Sequence, residues 1–386
     1  MTASTADANL ASGAASERAP FLLWPVARRE FYQAIIIALS LPLLWGVALF
    51  GIKAALIVCS TLGGAVITQA LLRRSRRGRL LTFNHTIASA LMLACLTAVQ
   101  CPLWLAGAAS ALMTLVIWLV GPPGRHRVHV GLLTALMLSL VVGRVGTGPV
   151  LVKEALFVGN IHRTSPVRRF RWPAAAPVVG NDAITVPSPD MVLAKTLRSI
   201  SDHPEGLKAR ATLDNAFGIE LPPPAELFLG VMPGRIGVVA ILGIILGGLL
   251  LAYRHILQPA SWAVFLLAVL LGLVFGPLSA HTFHHEFWQS LGGLWYLPKE
   301  RALYLIFVEL CTSDFLFASV FILAMPGTLP LSPRARWVFL LAAGILAALF
   351  VRIGLPLPPA TTALLLLQPI GPWLDSLLPR RTWMRT

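Results

Sequence analysis

Charge is scarce in this chain, and negative charge scarcer still. Asp and Glu together number 16 among 386 residues, against 31 Lys and Arg, and charged residues make up only 12% of the whole. A soluble domain usually carries about 25% charged residues, so the deficit excludes an ordinary water-soluble protein. Cysteine is equally sparse: Cys59, Cys95, Cys101 and Cys311 are scattered, with no Cys-x-x-Cys spacing. That excludes a disulfide framework and a cysteine zinc site. No Gly-x-Gly-x-x-Gly follows a strand and no Gly-x-Ser-x-Gly occurs, so the chain lacks a nicotinamide fingerprint and a nucleophile elbow. Residues 1–20 are rich in Ala and Ser without an apolar core; they predict a disordered cytoplasmic tail over 1–27, not a signal peptide.

What the sequence has is hydrophobicity, at 56% of residues. A hydrocarbon core of about 30 Å needs about 20 apolar residues per helix. Such runs fall at Phe31–Phe50, Ala54–Leu72, Leu81–Ala98, Pro102–Val120, Val130–Val145, Ile236–Tyr253, Trp262–Leu278, Ala302–Met325, Trp337–Val351 and Pro358–Leu374. The expected fold is an all-α integral membrane protein of about ten transmembrane helices. It divides into a first half over 28–145, an extracytoplasmic segment over 146–235, a second half over 236–378 and a basic tail over 379–386. Orientation follows from basic residues in the short connections, which resist translocation. Fifteen arginines, clustered at Arg28, Arg73 to Arg79, Arg125, Arg254, Arg334 and Arg380, lie on one side; Lys53, Lys299, Arg301 and Arg352 lie on the other. This places both termini in the cytoplasm and the long segment outside. The net charge of +15 is thereby explained by topology, and nucleic acid is excluded as a partner.

Several polar residues stand out against this background. Glu309 and Asp314 lie inside an apolar run, where a carboxylate costs about 2.5 to 3.5 kcal/mol unless it pairs or faces water. Either they act on an ion or they pack against neighbouring helices through hydrogen bonds; on a regular helix five residues separate them by about 140°. His85, His126 and His129 sit at polar helix openings or in a Gly-rich turn, suited to a cofactor or quinone headgroup, or simply to solvent. His281, His284 and His285, beside Glu286 in AHTFHHEFW, have spacing that could hold a metal, against the alternative of an aromatic-rich interfacial loop. Thr68, Gln69, Gly63 and Gly64 suit helix packing. Polar openings in TFNHTIASALMLA and VELCTSDFLFASVFILA, each followed by a Gly/Pro-rich turn, suggest two inverted five-helix repeats.

The tracts ELFLGVMPGRIGVVAILGIILGGLLLAYRHI (Glu226–Ile256) and FASVFILAMPGTLPLSPRAR (Phe317–Arg336) resemble the RnfD/NqrB family, membrane subunits of the Rnf and sodium-pumping NADH:quinone oxidoreductase complexes. The resemblance extends over Arg28 to Leu378. It implies a bacterial inner-membrane subunit of a flavin-dependent electron-transfer complex, with ion translocation as a coupled activity. Its partners would be other membrane subunits and a flavin-bearing or iron–sulfur protein, within the lipid bilayer. The family attaches FMN by a phosphoester to the second Thr of Asp-x-x-Thr-Gly-Ala-Thr-Pro. Here the tract is Asp182-Ala183-Ile184-Thr185-Val186-Pro187-Ser188-Pro189, with Ser188 at the attachment position. The family turn Gly-x-Asn-x-Phe-Asn-Pro-Ala corresponds to Gly124–Gly131, with His126 and His129 at its Asn positions. The implied cofactor is therefore FMN on Ser188, or riboflavin or another flavin held non-covalently. Without redox work, the same scaffold would suit a transporter or channel for an ion or small polar solute, lined by Glu309, Asp314 and His85.

Overall fold

The computed structural model describes residues 28–73, 83–120, 129–145, 224–230, 234–276, 299–353, 355 and 357–378. Among them there is helix and no strand, apart from one isolated antiparallel bridge between Ala98 and Arg235. The first half holds α1 (Arg28–Phe50), α2 (Ile52–Leu72), α3 (Phe83–Leu96), α4 (Leu103–Val120) and α5 (Val130–Val145). A short α6 (Pro224–Leu229) precedes the second half. There follow α7 (Ile241–Tyr253), α8 (Pro259–Phe275), α9 (Lys299–Thr312), α10 (Phe315–Phe317) with a π-turn (Ala318–Ile322), α11 (Pro333–Arg352), α12 (Pro359–Leu367), a 3-10 turn (Gln368–Ile370) and α13 (Gly371–Leu377).

Each of the ten apolar runs contains helix, but fewer are long enough to cross a membrane. Four described helices pass on length and composition: Glu30–Phe50, Ile52–Leu72, Leu103–Val120 and Pro333–Arg352. A fifth candidate is the bent pair Ala302–Thr312 and Phe315–Ile322, whose axes differ by 60°. Phe83–Leu96, Val130–Val142, Ile241–Tyr253 and Pro259–Phe275 are shorter apolar helices. The protein is thus a multi-pass helical membrane protein in which several runs are only partly helical.

The departures have local causes. The third run ends its helix at Leu96, two residues early, and the sixth begins only at Ile241. Between them Ile236 N–H donates to the Thr97 carbonyl (3.1 Å) and Gly237 N–H to the Cys95 carbonyl (3.0 Å). Non-helical backbone inside the bundle is tolerated where its polar groups are paired within the protein. The approach is close: a Cβ on Gly237 would lie 2.6 Å from Cys95 Cβ. The tenth run breaks at Pro369, which has no N–H to continue a helix. Prolines open α8, α11 and α12 at their first turn, where the missing donor costs nothing. Gly51, at φ 73°, joins α1 directly to α2, a conformation that side chains rarely adopt.

Small residues set the packing, as expected where lipid is as apolar as the helix surface. The α2–α4 pair closes over Gly64 against Gly107, where a Cβ on Gly64 would meet the Gly107 carbonyl oxygen at 2.3 Å. The α8–α11 pair closes over Gly272 and Gly344 in the same way. The two halves meet mainly through α1 against α7. Gly63, also expected to serve packing, has open space beside it instead.

Candidate functional site

Two polar centres lie inside the bundle, one at the beginning of α5 and one at the beginning of α12. The first surrounds His129, one residue ahead of α5. Its backbone N–H donates to Gln368 Oε1 at 2.9 Å. Gln368 occupies the 3-10 turn that Pro369 imposes, so a break in the second half supplies an acceptor to a helix start in the first. The His129 ring lies 6.3 Å, centroid to centroid, from His85 on α3, which packs edge-on against Tyr32 of α1 at 5.3 Å. Gly131 sits between His129 and Ser89 of α3: a Cβ there would contact both side chains. Both ring nitrogens of His129, the Ser89 hydroxyl oxygen and Gln368 Nε2 are buried without a hydrogen-bond partner among the described residues. Buried polar atoms are nearly always paired, so this cluster has the unfilled valences of a ligand site.

The second centre surrounds the break in the eighth run. Asp314 stands at the break between α9 and α10, is fully buried, and reaches across to the start of α12. Its Oδ1 accepts from Ala360 N–H (2.9 Å), and its Oδ2 accepts from Thr361 N–H (2.9 Å) and the Thr361 hydroxyl (2.6 Å). A helix start carries unpaired N–H groups and partial positive charge, and a carboxylate answers both. Because the chain is broken at Ser313–Asp314, the regular-helix angle between Glu309 and Asp314 does not apply. Glu309 faces another partner, Arg352 at the end of α11. Oε1 and Nη1 are 2.9 Å apart, and both side chains are 1% exposed. Arg352 Nη2 also donates to the Leu273 carbonyl near the end of α8, at 3.1 Å. The Glu309–Arg352 contact is an ion pair by distance but not a well-oriented hydrogen bond: both Glu309 oxygens and Arg352 Nε and Nη1 lack one.

The structure therefore brings His85 and His129 together and separates Glu309 from Asp314. Asp182, Thr185, Ser188, His126, His281, His284 and His285 lie outside the described residues. No cluster of three or more His, Cys, Asp or Glu occurs among the described residues. Sequence reasoning missed Tyr32, Ser89, Gln368 and the role of Arg352. Gln368 interrupts LLLLQPIG immediately before a proline, and Arg352 ends an apolar run; both were visible as polar residues at breaks. Arg352 was counted only as a loop cation.

The model of the NQR2, RnfD, RnfE family matches residues 16–383, nearly the whole chain. The protein belongs to this family. It is accordingly a membrane subunit of the Rnf/Nqr type, a class that works with other membrane subunits. No curated protein matches the chain. Within this family member, the cluster at His129 includes the His that stands at the second Asn position of the family turn, so the resemblance and the unpaired buried atoms point to one place.

Proposed function

We propose that the protein is the membrane subunit of a flavin-dependent electron-transfer complex of the Rnf/Nqr type, in a bacterial cytoplasmic membrane with both termini inside. The observation that carries this reading is the family match over 16–383. Ten crossings arranged as two inverted repeats form part of the proposal. Its support is that the second and fourth helical segments pair in the first half and their counterparts, α8 and α11, pair in the second. In each half, moreover, the helix of the fifth apolar run, α5 or α12, starts against a side chain from a broken segment.

Two flavin positions follow from the sequence. Ser188 would carry FMN through a phosphoester, its hydroxyl oxygen taking the place of the threonine oxygen, with Asp182 and Thr185 beside it in the motif. The second position lies within the bundle. The edge of a flavin ring offers both hydrogen-bond donors and acceptors, and the residues around His129 fit such a group. The His129 ring, the Ser89 hydroxyl and Gln368 Nε2 provide both kinds of partner, all buried and without partners among the described residues. There they would hold and orient the ring and exclude water, while the flavin itself supplies the electron-transfer chemistry. Partners are other membrane subunits and a flavin-bearing or iron–sulfur protein; coupled ion movement belongs to the same reading.

The test is the colour of the purified protein, expressed with its neighbouring subunits and a flavin transferase. Absorbance near about 450 nm is expected for bound flavin. Colour retained in the acid-precipitated pellet and lost in Ser188→Ala would establish covalent attachment. Colour released into the supernatant would establish the bundle position instead. A protein colourless before precipitation would refute the reading and favour transport without redox work.

A further inference from the structure

The α9 half-helix differs from its surroundings in two ways. It is bent by 60° from the segment that continues it. Its principal neighbours are the short α6, α8 and its own continuation; α11 is not among them. Yet Glu309, near its end, is ion-paired to Arg352 of α11, and Arg352 holds the Leu273 carbonyl of α8 as well. The connection from α9 to α11 thus runs through one long side chain and not through close helix packing.

Beyond the bend the chain is fixed differently. Asp314 anchors it to α12 by three hydrogen bonds. The π-turn that follows, with Leu323 N–H donating to the Ala318 carbonyl five residues back at 3.1 Å, lies in continuous buried packing. Asp314 therefore forms a fixed pivot, and Glu309 lies on the arm that can turn about it. Local openings in proteins concentrate where buried contacts are few, and hinges fall at element ends that absorb a backbone change.

We propose that α9 is a hinged half-helix pivoting at Ser313–Asp314, latched to α11 and α8 by the Glu309–Arg352 pair. Removing one member of a buried pair leaves the other charge unanswered, so the latch opens when either is neutralised. Glu309 and Arg352 are positioning residues: they hold the arm, and neither belongs to the polar cluster around His129.

Amide hydrogen exchange on the full-length protein in lipid nanodiscs tests this. In Glu309→Gln, amides of residues 303–312 should exchange severalfold faster, while those of α2 and α4 keep their rates. The exchanged pair Glu309→Arg with Arg352→Glu should restore protection over 303–312. If Glu309→Gln does not fold, Arg352→Lys gives the same reading: it keeps the charge but loses the forked grip on Leu273, and it should loosen 303–312 to a smaller degree. Unchanged rates at 303–312, or an equal rise across α2 and α4, would overturn the latch.

Discussion

Helices α5 and α12 begin in opposite manners: one start is supported across the halves, the other within its own half. At the start of α12 every nearby polar atom is matched: a carboxylate meets two backbone N–H groups and a hydroxyl, all from the same half. At the start of α5 a neutral amide from the other half meets one N–H, and four polar atoms around it have no partner among the described residues. Buried polar groups that are fully satisfied rigidify a structure, and partly satisfied ones are costly unless a guest completes them. The α12 start is built as structure. The α5 start, by contrast, takes its acceptor from the other half, and on the proposed reading it is the receptor.

The largest effect that would break this contrast is Asp314→Ala. It removes three hydrogen bonds and leaves two backbone N–H groups unpaired in the bundle, each costing about 1 to 3 kcal/mol. A loss of roughly 3 to 5 kcal/mol is expected, visible as a sharp fall in the unfolding midpoint in detergent. Asp314→Asn keeps one acceptor oxygen and should lose about half as much. If Asp314→Ala unfolds no more easily than the parent, the α12 start is not the rigid one.

Gln368→Ala addresses the other side. It removes one neutral hydrogen bond to His129 N–H, for which about 1 to 2 kcal/mol is expected. Releasable flavin should fall much more than stability does, since Gln368 Nε2 is among the unfilled donors. A drop in stability equal to that of Asp314→Ala, with flavin content unchanged, would make the two helix starts equivalent and remove the distinction.

The multi-pass helical architecture was legible in the sequence because apolar runs and arginine clusters are one-dimensional signals. The family was legible through backbone-shaping Gly and Pro tracts. The breaks were not. Thr97, Ala98, Ile236 and Gly237 read from the sequence as helix ends, and only the hydrogen bonds from Ile236 and Gly237 to Thr97 and Cys95 explain why both helices stop short there. Asp314 was singled out as costly, but its partners are backbone groups 46 and 47 residues away, and no spacing rule connects such residues. Arg352 read as a loop cation because charge at the end of an apolar run usually marks an interface. Its burial depends on Glu309, which a linear pattern cannot pair with it. His85 and His129 were named individually; what brings them together is the packing of α3 beside α5.

The smallest expected change in stability is at His129 itself, and its sign carries the argument. A buried imidazole with both nitrogens unpaired has given up hydration without gaining a hydrogen bond, so the folded protein alone gains little from its polarity. Replacing a buried polar group by an apolar one of similar size is often neutral or stabilising when no partner is left behind. His129→Leu leaves the backbone N–H bond to Gln368 in place, because that bond uses no side-chain atom of His129. The flavin-free variant should therefore unfold within about 1 kcal/mol of the flavin-free parent, on the same principle. Releasable flavin should nevertheless be lost, and with it the stabilisation that a ligand confers on the folded state. The measurement is a pair of thermal unfolding curves for each protein, with and without added riboflavin. A ligand-dependent rise in the parent that is absent in His129→Leu would confirm a receptor at the α5 start. A large loss of stability in the flavin-free variant would show that His129 is structural, and the two helix starts would then differ only in the charge of the side chain that meets them.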